Sequence, residues 1–121
     1  MTSQDPAVLL IKKQGLVESA VVLSMDENKL IKSKKFEKAA PVDAEKSAVI
    51  NSLVSCDREL AAAMKPGVII SENAKEIIKN INSSLNELIK LEKENELLIS
   101  QAGESISGKY IDSYKTYKQL K

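Results

Sequence analysis

Few side chains in this sequence can do chemistry, and their spacing decides what each is for. There is no histidine among the 121 residues. That removes the usual general base, the commonest transition-metal ligand and the partner a nucleophilic serine or cysteine needs. A single thiol, Cys56, cannot form an internal disulfide or a zinc site. It falls between Leu53 and Leu60 on an apolar row, where a cysteine acts as a small buried hydrophobe. Glu92, Glu94 and Glu96 alternate with Lys90 and Lys93, a spacing that predicts a solvated face of ion pairs rather than an acid/base couple. The glycines at 15, 67, 103 and 108 form no phosphate-binding loop. No enzymatic activity, metal or cofactor is expected.

Lys32, Lys34, Lys35 and Lys38 form the one basic run, with Phe36 alone among them and Asp43 and Glu45 soon after. Phosphate-backbone binding needs a basic surface with arginine forks or stacking aromatics. Here the formal net charge is +1 and only one basic residue, Arg58, is not lysine. The run is read as a solvated helix end, and no nucleic-acid partner is expected. The longest apolar runs, Val8 to Ile11 and Ala20 to Leu23, are too short to cross a bilayer. With no basic–apolar–small leader pattern at the start, the expectation is a cytoplasmic protein without membrane insertion.

The remaining pattern is helical. Leu9, Leu16, Leu23 and Leu30 recur every seven residues, widened by Val17, Ala20, Val21 and Ile31. Asp5 and Pro6 suit an N-cap and first turn. A first helix is expected over 6–38, ending before Pro41 because the residue ahead of a proline is pushed out of the helical region. Asp43 then caps a second helix over 43–64, with Val49, Leu53, Cys56, Leu60 and Met64 on one face, stopped by Lys65-Pro66-Gly67. Ser71 or Asn73 caps a third over 70–102, and 104–120 either continues it or forms a short fourth helix. The fold expected is all-α: an elongated antiparallel three-helix bundle, or coiled-coil hairpin, with a long C-terminal helix.

The third helix carries a row Ile78, Ile81, Leu85, Leu88, Asn95, Ile99, Ala102, Ile106, ending in Tyr110, Tyr114 and Tyr117. Asn95 has two placements: a polar residue on the seam that fixes register, near Glu92, or a residue facing water at the bundle edge. The tyrosine end has three: core packed on the first helix, a tail without fixed structure, or a strip that holds a partner. Tyrosine suits the last role through its large contact area, few rotors and polar tip.

Two segments, read together, resemble the FlgN-like flagellar export chaperones. The first is Met25-Asp26-Glu27-Asn28-Lys29-Leu30 followed by Glu45-Lys46, Val49-Ile50, Leu53 and Asp57-Arg58-Glu59-Leu60; the second is Leu88 to Leu98, a leucine row followed by Asn95 and Leu97-Leu98. The resemblance covers about 75 residues of helix, helix, turn and long helix, and Pro41 departs from it. It implies a non-enzymatic chaperone that holds the terminal helices of hook-filament junction proteins for an export apparatus. Ile99, Ala102, Ile106, Tyr110, Tyr114, Tyr117 and Leu120 would form the client-binding strip. The alternative is a helical adaptor that forms a homo-oligomer through its apolar rows.

Overall fold

The computed structural model describes residues 5–64 and 70–102. They form three helices, α1 (Pro6–Lys32), α2 (Phe36–Ala63) and α3 (Glu72–Gln101), and no strand among the described residues. None of these helices is long and apolar enough to cross a membrane. The expected all-α three-helix bundle is the architecture found. α1 is the central element, packed against both α2 and α3. Lys13 pairs with Asp57 and Glu27 with Lys46, so α2 runs antiparallel to α1. Ser24 meets Glu92 and Asn28 meets Asn95, so α3 returns parallel to α1. With 27 residues, α1 is about 40 Å long, which sets the length of the bundle.

The caps form where the sequence places them. Asp5 accepts a hydrogen bond from the Ala7 N–H at 2.9 Å with Pro6 in the first turn, and Ser71 accepts from Ala74 N–H at 3.1 Å. Each satisfies one of the amide donors that a helix start leaves over.

The junction of the first two helices corrects the sequence reading. α1 stops at Lys32, six residues before the expected end, and Pro41 lies inside α2 instead of separating two helices. The stop is made by the backbone. Lys35 N–H donates to Leu30 O at 2.8 Å and Lys34 N–H to Ile31 O at 2.9 Å, while Lys34 adopts φ 60°. This is a Schellman motif with a lysine in the left-handed position usually held by glycine. Pro41 is tolerated because only one helical turn precedes it. Its missing N–H deprives a single carbonyl, that of exposed Glu37, near the helix start. In return Ala39 packs against Ile31 and Ile99. Asp43, expected as a cap, is buried one turn further on. Lys34→Gly is expected to raise stability by about 1 kcal/mol by removing the left-handed strain. A higher urea midpoint at constant slope would register it.

The core consists of three apolar clusters. The largest joins Leu9, Leu10 and Val17 to Leu53, Cys56 and Leu60 and to Ala74 and Ile81. A middle cluster is Ala20, Val21 and Leu88, and an end cluster is Ile31, Ala39 and Ile99. The leucine row of α1 is less central than its period suggests: Leu9 is buried, but Leu16, Leu23 and Leu30 are only half-buried. A helix wedged between two others buries a wider arc than one heptad row covers.

Candidate functional site

Between the middle and end clusters the apolar seam is interrupted in all three helices at once. α1 contributes Ser24, Glu27 and Asn28, α2 Asp43 and Lys46, and α3 Glu92 and Asn95, and all seven are buried. Steps of three and four residues continue the apolar rows through these positions, so each polar side chain points inward by helical geometry alone.

Lys46 is the centre. Its ammonium is fully buried and lies 2.6 Å from Glu92 Oε1, 2.8 Å from Glu27 Oε1 and 3.7 Å from Asp43 Oδ1. Ser24 Oγ donates to Glu92 Oε1 at 2.7 Å. Asn95 Nδ2 donates to Glu27 Oε1 at 3.1 Å and to the Ser24 carbonyl at 3.2 Å, and Asn95 Oδ1 accepts from Asn28 Nδ2 at 2.8 Å. The layer therefore ties each helix to the other two by side chains.

Three carboxyl groups surround one ammonium, and the excess is settled by a proton. Burial pushes the Glu27 carboxyl up to about 8, against the opposing pull of Lys46. Asp43 is also raised, again by burial first. Lys46 is held above the ordinary lysine value, the attraction of Glu27 and Glu92 outweighing the burial that opposes it. Glu27 Oε1 already accepts two hydrogen bonds, whereas Glu27 Oε2 and Asp43 Oδ1 are buried without a hydrogen-bond partner. A proton on Glu27, shared with neighbouring Asp43, serves these two oxygens and leaves the layer with one net negative charge instead of two.

The arrangement is sealed. Glu27, Lys46 and Asn95 have no exposed surface, so no substrate reaches them. Among the described residues no group of histidine, cysteine and carboxylate side chains could hold a metal ion. What a dry, mutually satisfied network offers is alignment, because sliding any helix by one turn strands a charge.

Several sequence expectations are settled here. Asn95 takes the seam position and not the water-facing one. Glu92, read as part of a solvated face, is buried, whereas Glu94 stays outside and pairs with Lys32 at 2.9 Å. Cys56 is buried as expected, its Sγ–H donating to the Leu9 carbonyl at 3.4 Å, and burial raises its thiol. Lys32, Lys34, Lys35 and Lys38 are exposed, around a tight turn rather than a fraying helix end. Ile99 is a correction to the client-binding strip: at 5% exposure it is core, packed with Ile31 and Ala39, and Ala102 packs against the same cluster. Ile106, Tyr110, Tyr114, Tyr117 and Leu120 lie outside the described residues.

Sequence reasoning missed Glu27, Asp43 and Lys46 as a group. The signal was a polar residue at an inward position in each helix, visible only when the three rows are aligned. The fold and this layer define a three-helix bundle pinned by a buried ionic network. Set against protein-family models, curated proteins and solved structures, the chain matches none.

Proposed function

We propose that this chain is a non-enzymatic, FlgN-like export chaperone acting in the cytoplasm, which holds the helical ends of flagellar hook-filament junction proteins and hands them to an export apparatus. The observation that carries the reading is convergence. The two segments behind the family resemblance are far apart in sequence, yet Glu27, Asn28 and Lys46 from the first and Glu92 and Asn95 from the second meet in one buried layer. Residues shared for their role in a fold are expected to touch. Independent amphipathic helices would have no reason to bring these together.

A free terminal helix of a junction protein exposes an apolar row, and a chaperone covers it by laying it against its own helix. With Ile99 and Ala102 assigned to the core, the client strip reduces to Ile106, Tyr110, Tyr114, Tyr117 and Leu120. Deleting residues 104–121 is expected to leave the helical circular dichroism of the bundle intact and to abolish co-purification of a co-expressed junction protein. A truncated chain that unfolds, or that still retains the client, would remove this assignment.

The second reading, a self-associating adaptor, draws on one feature: Val8, Ile11 and Val22 of α1 are each more than half exposed. Light scattering separates the two. A stable oligomer favours the adaptor, and a monomer that tightens with a client helix favours the chaperone.

A further inference from the structure

The last third of α3 is held to the bundle differently from the rest of that helix. Up to Leu88 the helix is seated by apolar side chains, Ala74, Ile77, Ile78, Ile81, Leu85 and Leu88, in the large and middle clusters. From Glu92 to Gln101 three residues are buried, and two of them, Glu92 and Asn95, are polar. Ile99, with Leu98 beside it, sits in the small end cluster, and Lys32 pairs with Glu94 at the surface. α2 and α3 each pack on α1 and scarcely on each other. This segment can therefore leave while α1 and α2 stay together.

The buried layer also concentrates a charge that only this segment can carry away. The charged groups facing Glu27 are Asp43 and Lys46 on α2 and Glu92 on α3, with Asn95 as its uncharged neighbour. Glu27 Oε2 and Asp43 Oδ1, buried without a hydrogen-bond partner, are the two oxygens between which a proton is shared. With that proton the layer holds two carboxylates and one ammonium. Without it there are three carboxylates, and like charges in a dry layer repel far more strongly than at the surface. Glu27 is fixed on the central helix, and Asp43 lies one turn from Lys46 on the same helix. Glu92 is the carboxylate that can move. Lifting its segment takes it to water and returns the layer from two net negative charges to one.

We propose that the layer is a latch for the end of α3: while the Glu27–Asp43 pair holds its proton, Glu92–Gln101 stays on α1, and when the proton leaves, that segment lifts away as a unit from an otherwise folded bundle. The closed form binds the proton more tightly than the open one, so rising pH favours opening. Burial, which raises the Glu27 carboxyl to about 8, places the change in mildly alkaline solution. Opening bares Ile99 and the faces of Ile31 and Ala39 against which it packs.

Hydrogen–deuterium exchange of the full chain, corrected for the intrinsic rise of exchange with pH, tests the latch. Between pH 6 and pH 8 the protection of residues 92–101 is expected to fall on the order of a hundredfold, about tenfold per pH unit. Adding about 1 M urea should leave that protection nearly unchanged, because lifting one segment exposes little surface. Residues 9–17 and 53–60, in the large cluster, should exchange more slowly and respond to urea, since they open only when the whole bundle unfolds. Glu27→Gln has no proton to lose and should keep at pH 8 the protection that residues 92–101 have at pH 6. Equal protection of this segment at both pH values in wild type would overturn the latch. So would one common rate and urea response in all three helices, or the same fall in the Glu27→Gln chain. No client enters the measurement, so the latch and the chaperone reading fail separately.

Discussion

Lys46→Met is expected to destabilise the bundle by about 3–5 kcal/mol, a large part of the roughly 5–15 kcal/mol available to a domain of this size. Methionine matches the length and flexibility of lysine, so the loss is not one of volume. It removes the one cation from a layer in which Glu92 lies 2.6 Å and Glu27 2.8 Å from the ammonium, all three without exposed surface to speak of. The carboxylates that remain cannot reach water, and each is buried without its counter-charge. Neutralising the layer as a whole should recover much of the loss: Lys46→Met combined with Glu27→Leu, Asp43→Asn and Glu92→Leu removes the stranded charges together with their partner. The same change at Lys93, which is exposed on α3, is expected to alter stability by less than about 0.5 kcal/mol. Urea unfolding of the four chains checks the series. A Lys46→Met chain as stable as wild type would show that the layer is not ionic in solution.

The second large effect is a loss of stability toward alkaline pH. Glu27 has its carboxyl raised from 4.5 to about 8 in the folded chain. A group raised by folding holds its proton more tightly in the native state, so its contribution is complete below the unfolded value and is lost as pH rises through the folded one. Across the window from 4.5 to 8 the bundle is expected to weaken by up to roughly 5 kcal/mol, about 1.4 kcal/mol per pH unit, as the layer moves toward two net negative charges. Asp43 is raised in the same direction, by burial first. Lys46, also raised, stays charged throughout this window and adds nothing to the slope. Glu27→Gln keeps the shape and places an amide where the proton sits, and it should flatten the profile between pH 5 and pH 8.5. Urea midpoints at these two values decide the matter. A wild-type midpoint that holds or rises with pH would mean that Glu27 is ionised throughout.

The contrast between these two residues and Cys56 shows why parts of the site were legible and parts were not. Cys56 is small, apolar and flanked by leucines at helical spacing, so its burial follows from pattern alone. Glu92 stands in a run of alternating charges whose cheapest reading is solvent exposure. Its burial depends on Ser24 and Lys46, 68 and 46 residues away. Lys46 is the same case more strongly, since an unpaired lysine is almost never fully buried and its partners belong to two other helices. The family resemblance quoted Lys46 and Asn95 but could not say that they lie in one layer. The helix junction failed for a different reason. Pro41 is the strongest local stop signal in its neighbourhood, yet Lys34 took the left-handed turn because doing so lets Ala39 and Asp43 reach the core.

By itself, the order of residues determined three amphipathic helices, the cap at Asp5 and the apolar faces that meet, because these depend on neighbours within one or two turns. Only the tertiary structure decided where α1 ends, that Ile99 is core, that Asn95 faces the seam, and that Glu27, Asp43, Lys46 and Glu92 meet in one buried layer. Each of those outcomes balances a local cost against contacts between helices, and a charged side chain is placed by its partner across the bundle rather than by its neighbours in the chain.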